Sequence, residues 1–341
     1  MNAPSEPPMA DTKTAPVRSG TPATKEETYN QALDNYTLTL DRKLMRIATI
    51  LHRTLIAFLE NIWSGYVRAF EEKDSKLYIY ESEPTHRPQW FAKFPRYLFR
   101  DGKNAKHAIL TQSKCDQAYA CLYALITKLF EDLNTDYRAN DVDIMGVRET
   151  VRVKSDGTES ECGLNTRHVI LRLECRQTGR KWAIDLTGAH YGIYEPLHDL
   201  NQYKSAYVKR VVGYYPLTYA LAQYNEYTTV QGLPRLLCGL PFRAGVILQR
   251  AISAWELQNQ AIPGLLNLEE QSFNTAKHSL LRYLDESVQS FICDTDFSND
   301  IGAAVSYERA FPGESNRQID AIHQREYEAS EGLDERFLQD E

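Results

Sequence analysis

The fold of this 341-residue chain is narrowed most by two short apolar runs, His168–Cys175 (HVILRLEC) and Lys181–Thr187 (KWAIDLT), only five residues apart. Both are rich in β-favouring residues and read as the strands of an antiparallel hairpin. A two-residue turn centred on Gln177-Thr178 sets His168 opposite Thr187 and places Asp185 diagonally from it on the same face. An even loop keeps that shared face; an odd loop without a bulge separates the two. Val169, Leu171, Leu173 and Cys175 form the apolar side, so His168, Ile170, Arg172 and Glu174 point the other way. His168 then stands at the rim of the sheet.

Helical periodicity flanks this hairpin. Asp41–Glu72 carries an apolar stripe from Leu44 to Ile62, and Ser113–Leu133 carries another that begins at Cys115. The Pro- and aromatic-rich Lys76–Arg100 reads as loops with a short Leu77–Tyr80 strand, and Val147–Val153 as a strand before an Asp156-Gly157 turn. Helical pattern returns over Leu197–Val212, Tyr215–Tyr224, Arg243–Ala261 and Leu265–Cys293, with Pro263-Gly264 as a break. Helices, a short run of antiparallel strands and further helices make an α+β domain. The expected organisation is a disordered N-terminal tail over 1–25 and a single domain over 26–295. Its core spans 105–200 and its C-terminal helical part 197–295, followed by an acidic, largely mobile tail over 296–341.

Charge assigns that tail. Residues 296–341 hold twelve acids against four arginines, a local charge of −8 in a chain of net −7, so the rest is nearly neutral. Bulk electrostatics therefore do not indicate nucleic acid, although the basic stretch 204–210 leaves room for an RNA-borne donor. No run approaches the roughly eighteen apolar residues of a membrane span, and the N-terminus lacks the apolar segment of a secretory signal. Six cysteines without metal-ligand spacing fit a reducing compartment, so the expected location is cytoplasmic, with no metal and no cofactor.

Cys115 opens the second helix, where unpaired N–H groups and the helix dipole stabilise a thiolate. With His168 opening a strand and Asp185 in the next, the chain holds the parts of an activated nucleophile: thiol, base and orienting acid. Gln112 is the candidate side-chain donor to an oxyanion, and Trp182, His190, Tyr191 and Tyr194 are candidate pocket residues. Each part also has a plainer reading. Cys115 suits a buried helix face, His168 a partly exposed strand end, and Asp185 a cap on the Thr187-Gly188 turn.

The segments SKCDQAYACLYALITKLFEDL, RHVILRL and GRKWAIDLTGAHYG resemble the three blocks of the transglutaminase-like cysteine superfamily, and are similar to arylamine N-acetyltransferases in the same blocks. The resemblance covers roughly residues 105 to 200. It implies a papain/transglutaminase-like core, in which a nucleophile helix packs on a short antiparallel sheet, and a papain-type Cys115-His168-Asp185 triad. The implied activity is a cysteine-dependent acyltransferase taking a small-molecule or peptide acyl donor, such as a thioester or aminoacyl ester, and an amine acceptor. Water as acceptor would make it a protease or deamidase; a catalytically degenerate scaffold of the same fold is the other alternative. The superfamily's common Gly-x-Cys, His-Ala-Trp and Asp-Pro-Thr stand here as Ser113-Lys114-Cys115, His168-Val169-Ile170 and Asp185-Leu186-Thr187. These departures bear on subfamily and substrate.

Overall fold

A computed structural model describes residues 25–82, 90–100, 102–162 and 167–331. The expected tail over 1–25 lies outside them except for Lys25. The chain divides into two compact units, Met1–Leu40 and Asp41–Glu341. In the first unit the described residues are helical.

The first helix, α1 (Lys25–Asn61), stops eleven residues short of the expected Glu72 because its apolar stripe runs out at Ile62. The next residues form a hairpin instead, β1 (Val67–Lys73) and β2 (Lys76–Glu81). Asp74 and Ser75 both adopt positive φ between them, the signature of a two-residue turn that matches strand twist. Helices α2 (Lys103–Thr111) and α3 (Cys115–Phe130) follow, then the strands β3 (Thr135–Ile144), β4 (Glu149–Val153), β5 (Glu159–Cys162), β6 (Arg167–Cys175), β7 (Lys181–Ile184) and β8 (Leu197–Asp199). After α4 (Leu200–Tyr207) and β9 (Val208–Tyr215) the chain is helical: α5 (Leu217–Thr229), α6 (Leu240–Gln258), α7 (Ile262–Leu265), α8 (Glu270–Asp294), α9 (Ser298–Ala310) and α10 (Glu314–Glu331). The class is α+β.

The strands form two sheets. The smaller has the order β1-β2-β4-β5, and its central β2/β4 pair is parallel, a departure from the expected antiparallel run. The larger, β8-β7-β6-β3-β9, is antiparallel throughout. Its β6/β7 ladder pairs Leu171 with Ile184 and Glu174 with Lys181, the register that a turn centred on Gln177-Thr178 requires. Three of its strands depart from the sequence reading, the short β8 among them, because it takes the start of what read as the Leu197–Val212 helix. Central β3 carries Asp136, Arg138, Asn140, Asp141 and Asp143, too polar for an apolar run. Strand β9 occupies what read as the end of the Leu197–Val212 helix, and its Val and Tyr residues pair with β3.

Both faces of the larger sheet are covered. One core holds Val142, Ile170, Ala183, Tyr191, Ile193 and Tyr203, so Ile170 is buried rather than outward-facing. Against β6 lies α3, whose Ala118, Tyr119, Leu122, Leu125, Ile126 and Leu129 recur at helical spacing and are fully buried. On the other side of α3 runs α6, which approaches closely at Gly245: a Cβ there would lie 3.2 Å from Cys121. Residues Arg235–Gln258, a turn of π-helix leading into α6, are long and apolar enough to cross a membrane by length and composition. Here Leu240, Ala244, Leu248, Ile252 and Trp255 are buried, with α3 and α8 as the packing partners.

The segment expected as a largely mobile tail holds α9 and α10 up to Glu331; residues 332–341 lie outside the described residues. Helix α9 packs on the π-turn and α10 on α5, with Ala304 and Ile322 almost fully buried. An acidic composition hides these helices because their exposed faces carry nearly all the charge. Ile322→Ala should therefore lower stability by about 2 kcal/mol or more, measured by urea unfolding of the full chain. An unchanged midpoint would show that α10 does not contribute to the cooperative body.

Candidate active site

The turn before α3 sets the direction of Cys115. Helix α2 ends at Gln112 (φ −59°, ψ 124°), Ser113 takes φ +54°, and the Lys114 N–H donates to Thr111 O at 3.1 Å. That is a type II turn, whose third position favours glycine. Ser113 thus holds a backbone conformation that a glycine would adopt at lower cost. Cys115 is the first residue of α3, two residues later than the expected start. Four residues on, Tyr119 donates from its hydroxyl to Ile184 O at 3.0 Å, fastening the start of α3 to the end of β7.

The larger sheet supplies the partners. His168 is fully buried on β6, not at an exposed rim, and its Nδ1 lies 3.2 Å from Cys115 Sγ. Its Nε2 donates to Asp185 Oδ1 at 3.0 Å. Asp185 comes just after β7 ends, where its backbone N–H bonds Pro196 O. Its Oδ1 also accepts from the Thr187 N–H at 3.1 Å, and Oδ2 accepts from the Tyr203 hydroxyl at 2.8 Å. Asp185 therefore both faces the imidazole and caps the Thr187-Gly188 turn, so the two readings of its role coexist. The Thr187 hydroxyl donates to Cys115 Sγ at 3.4 Å.

Two contributors were not among the site residues read from the sequence. Tyr203, from α4, satisfies the second carboxylate oxygen. Gly188 allows the carboxylate to turn back over the chain, because a Cβ at 188 would collide with Asp185 Oδ2. A Thr-Gly pair after the acid is its only trace in the sequence.

The other candidates separate. His190 and Tyr191 are at the site: the Tyr191 ring meets His168 edge-on at 5.1 Å and the His190 ring lies 5.9 Å away. Trp182 is buried but turned elsewhere, its indole N–H donating to Asp41 Oδ1 on α1. Tyr194 is held by Arg148, which donates to its hydroxyl at 2.7 Å. Among the described residues neither hydrogen-bonds to the triad. Gln112 is buried, and its Oε1 accepts from both Nε and Nη2 of Arg152 at 3.0 and 2.7 Å. Its Nε2 has no hydrogen-bond partner among the described residues. In the basic stretch, Lys204 is on α4 while Lys209 and Arg210 are on β9, and Arg210 pairs with Asp143. The spacing of the cysteines and histidines showed no metal set, yet the ligand atoms of Cys115, His168 and His190 lie within 4.8 Å of one another.

Burial acts on these groups in opposite directions. It would push His168 down, but the Asp185 carboxylate and Cys115 outweigh it and hold the imidazole well above 6.5. Burial would raise Asp185, but the His168 charge and the hydrogen bonds from His168, Tyr203 and Thr187 hold it below the usual carboxylate value. His190 is pushed down to about 3 by burial and by the neighbouring His168, so it is neutral. The cluster is thus a buried acid–imidazole pair set against a thiol, with a neutral imidazole beside it.

Comparisons with protein families, curated proteins and solved structures returned no match.

The stability effect follows from these directions. Asp185 contributes stability that is present above its unfolded value, near 3.9, and lost as pH falls through its lower folded value. His168 contributes below 6.5, and that contribution is lost as pH rises through its higher folded value. Asp185→Asn removes the carboxylate and leaves burial opposed by Cys115 alone, so the His168 titration should fall. Ring NMR signals of His168 in both proteins check this. An unmoved titration would mean that the carboxylate does not hold the imidazole.

Proposed function

We propose that this chain is a cysteine-dependent acyltransferase of the transglutaminase-like or arylamine N-acetyltransferase-like type. The observation that carries the reading is the continuous Cys115–His168–Asp185 arrangement, with contacts of 3.2 and 3.0 Å, in a buried site. A helix-start cysteine packed beside an antiparallel sheet supports the papain-like placement, as do the three sequence blocks. The lack of any matching relative leaves subfamily and substrate to experiment.

In the proposed reaction the thiol proton passes to His168 Nδ1, and the sulfur attacks the carbonyl carbon of an ester, thioester or amide. The oxyanion that forms takes hydrogen bonds from backbone N–H groups at the start of α3 and from Gln112 Nε2. Arg152 supports that role for Gln112, because its two bonds fix the amide oxygen and leave the N–H group as the donor. Collapse expels the leaving group, which takes the proton from His168, and leaves a thioester on Cys115. An amine then attacks, giving its proton to His168, and the amide product departs as the thiol is restored. Asp185 fixes the imidazole tautomer and balances its charge throughout.

A non-catalytic scaffold of the same fold draws on one observation, the 8% exposure of Cys115.

A p-nitrophenyl ester separates these readings. The wild-type chain should release one p-nitrophenolate rapidly and gain one acyl group on Cys115 by intact mass. Cys115→Ala should abolish acylation, and Asp185→Asn should slow it by less than the roughly 10⁴ of the serine-protease template. Gln112→Ala should slow acylation by about 10²-fold while leaving alkylation of Cys115 unchanged, since alkylation forms no oxyanion. A folded wild-type chain that never acylates would favour the scaffold.

A further inference from the structure

We propose that Cys115, His168 and His190 form a binding site for a borderline divalent transition metal, with zinc as the expected ion, which blocks the thiol reversibly. The inference rests on the geometry of the three side chains and not on acyl transfer.

Three features of the site carry it. First, sulfur and two imidazoles are the donor set that zinc takes, and their ligand atoms lie within 4.8 Å of one another. Tetrahedral bonds of about 2.3 Å to sulfur and 2.0–2.1 Å to nitrogen put ligand atoms roughly 3.3–3.6 Å apart. The Sγ–Nδ1 contact of 3.2 Å need only open slightly, and the His190 ligand atom, within 4.8 Å of the other two, has to come closer by no more than about 1.5 Å.

Second, each imidazole already has the outer partner that a metal-bound histidine requires. His168 gives its Nε2–H to Asp185, which leaves Nδ1 for the ion. His190 gives its Nδ1–H to Thr187 O at 2.6 Å, which leaves Nε2. Both tautomers are therefore set before any ion arrives. Third, His190 has no part in the proposed acyl transfer, yet it is buried beside the pair with a free nitrogen lone pair. An imidazole whose Nδ1–H is already given to Thr187 O presents at Nε2 the lone pair that a cation accepts.

Three protein ligands leave a fourth position for water. The bound form needs a thiolate and neutral imidazoles, so binding releases the one proton shared by Cys115 and His168. The sulfur lone pair then lies on the metal and is withdrawn from nucleophilic attack.

Cobalt(II) tests this directly as a spectroscopic stand-in for zinc. The full-length chain should bind one equivalent with a thiolate-to-cobalt charge-transfer band and tetrahedral ligand-field bands, both erased by added zinc. Cys115→Ser should remove the charge-transfer band, and His190→Gln should weaken binding at least 10-fold, with folding of each checked by circular dichroism. In the wild type, where no variant is needed, stoichiometric zinc should protect Cys115 from iodoacetamide and a chelator should restore labelling. The proposal is overturned if the wild-type chain gives no such band, if the band survives in Cys115→Ser, if His190→Gln binds as tightly as the wild type, or if zinc gives no protection. A chain that acylates but binds no cobalt loses this inference alone; one that binds cobalt but never acylates loses the acyl-transfer reading alone.

Discussion

A carboxylate with almost no exposure to solvent has to be paired and hydrogen-bonded, and Asp185 imposes that requirement on its surroundings. Its two oxygens take three donors: His168, the Thr187 N–H and the Tyr203 hydroxyl. Those donors come from β6, from the turn after β7 and from α4, so one buried charge joins three parts of the chain. Removing any donor leaves negative charge unsatisfied in a low-dielectric setting, where the cost is largest. Gly188 belongs to the same requirement, since only a residue without Cβ lets the carboxylate lie where it does. The orientation of His168, and through it the contact to Cys115, is a consequence of satisfying this acid.

The smaller sheet reaches the same place from the other side. Arg152 on β4 grips Gln112 by its amide oxygen and also pairs with Glu81 on β2. Gln112 and Ser113 form the turn that aims Cys115, so the two sheets meet at the nucleophile's approach. The positive φ of Ser113 is a backbone cost of order 1–3 kcal/mol, maintained by the packed helices on either side. Strain of this kind beside a reactive group is consistent with a positional rather than a packing role for the turn.

Much of the site was legible because its parts follow local rules. Alternation over His168–Cys175 and the spacing to Lys181–Thr187 set the hairpin register, and periodicity from Cys115 set the helix. What was hidden is tertiary. Strand β3 is central but polar, and β9 merges with a helical pattern through its tyrosines and valines. The helices α9 and α10 look like an acidic tail because few of their residues face inward. Tyr203 reaches the acid from a short helix whose placement no local pattern encodes, whereas His190 was already a pocket candidate in the sequence. Trp182 shows the converse, an aromatic beside the acid in sequence that packs on α1 instead.

The central claim is that His168 makes Cys115 the reactive thiol of the chain, and competition among the cysteines tests it most directly. Cys293 is exposed, whereas Cys115 is only 8% exposed, so access alone ranks Cys293 first among the cysteines whose side chains are described. The metal-free chain is treated with limiting iodoacetamide at mildly acidic pH and mapped by peptide mass spectrometry. The account predicts that Cys115 labels ahead of Cys293 and the other four cysteines, and that His168→Ala reverses the order. Labelling that follows exposure, with Cys293 first and Cys115 unmodified in the wild type, would contradict it.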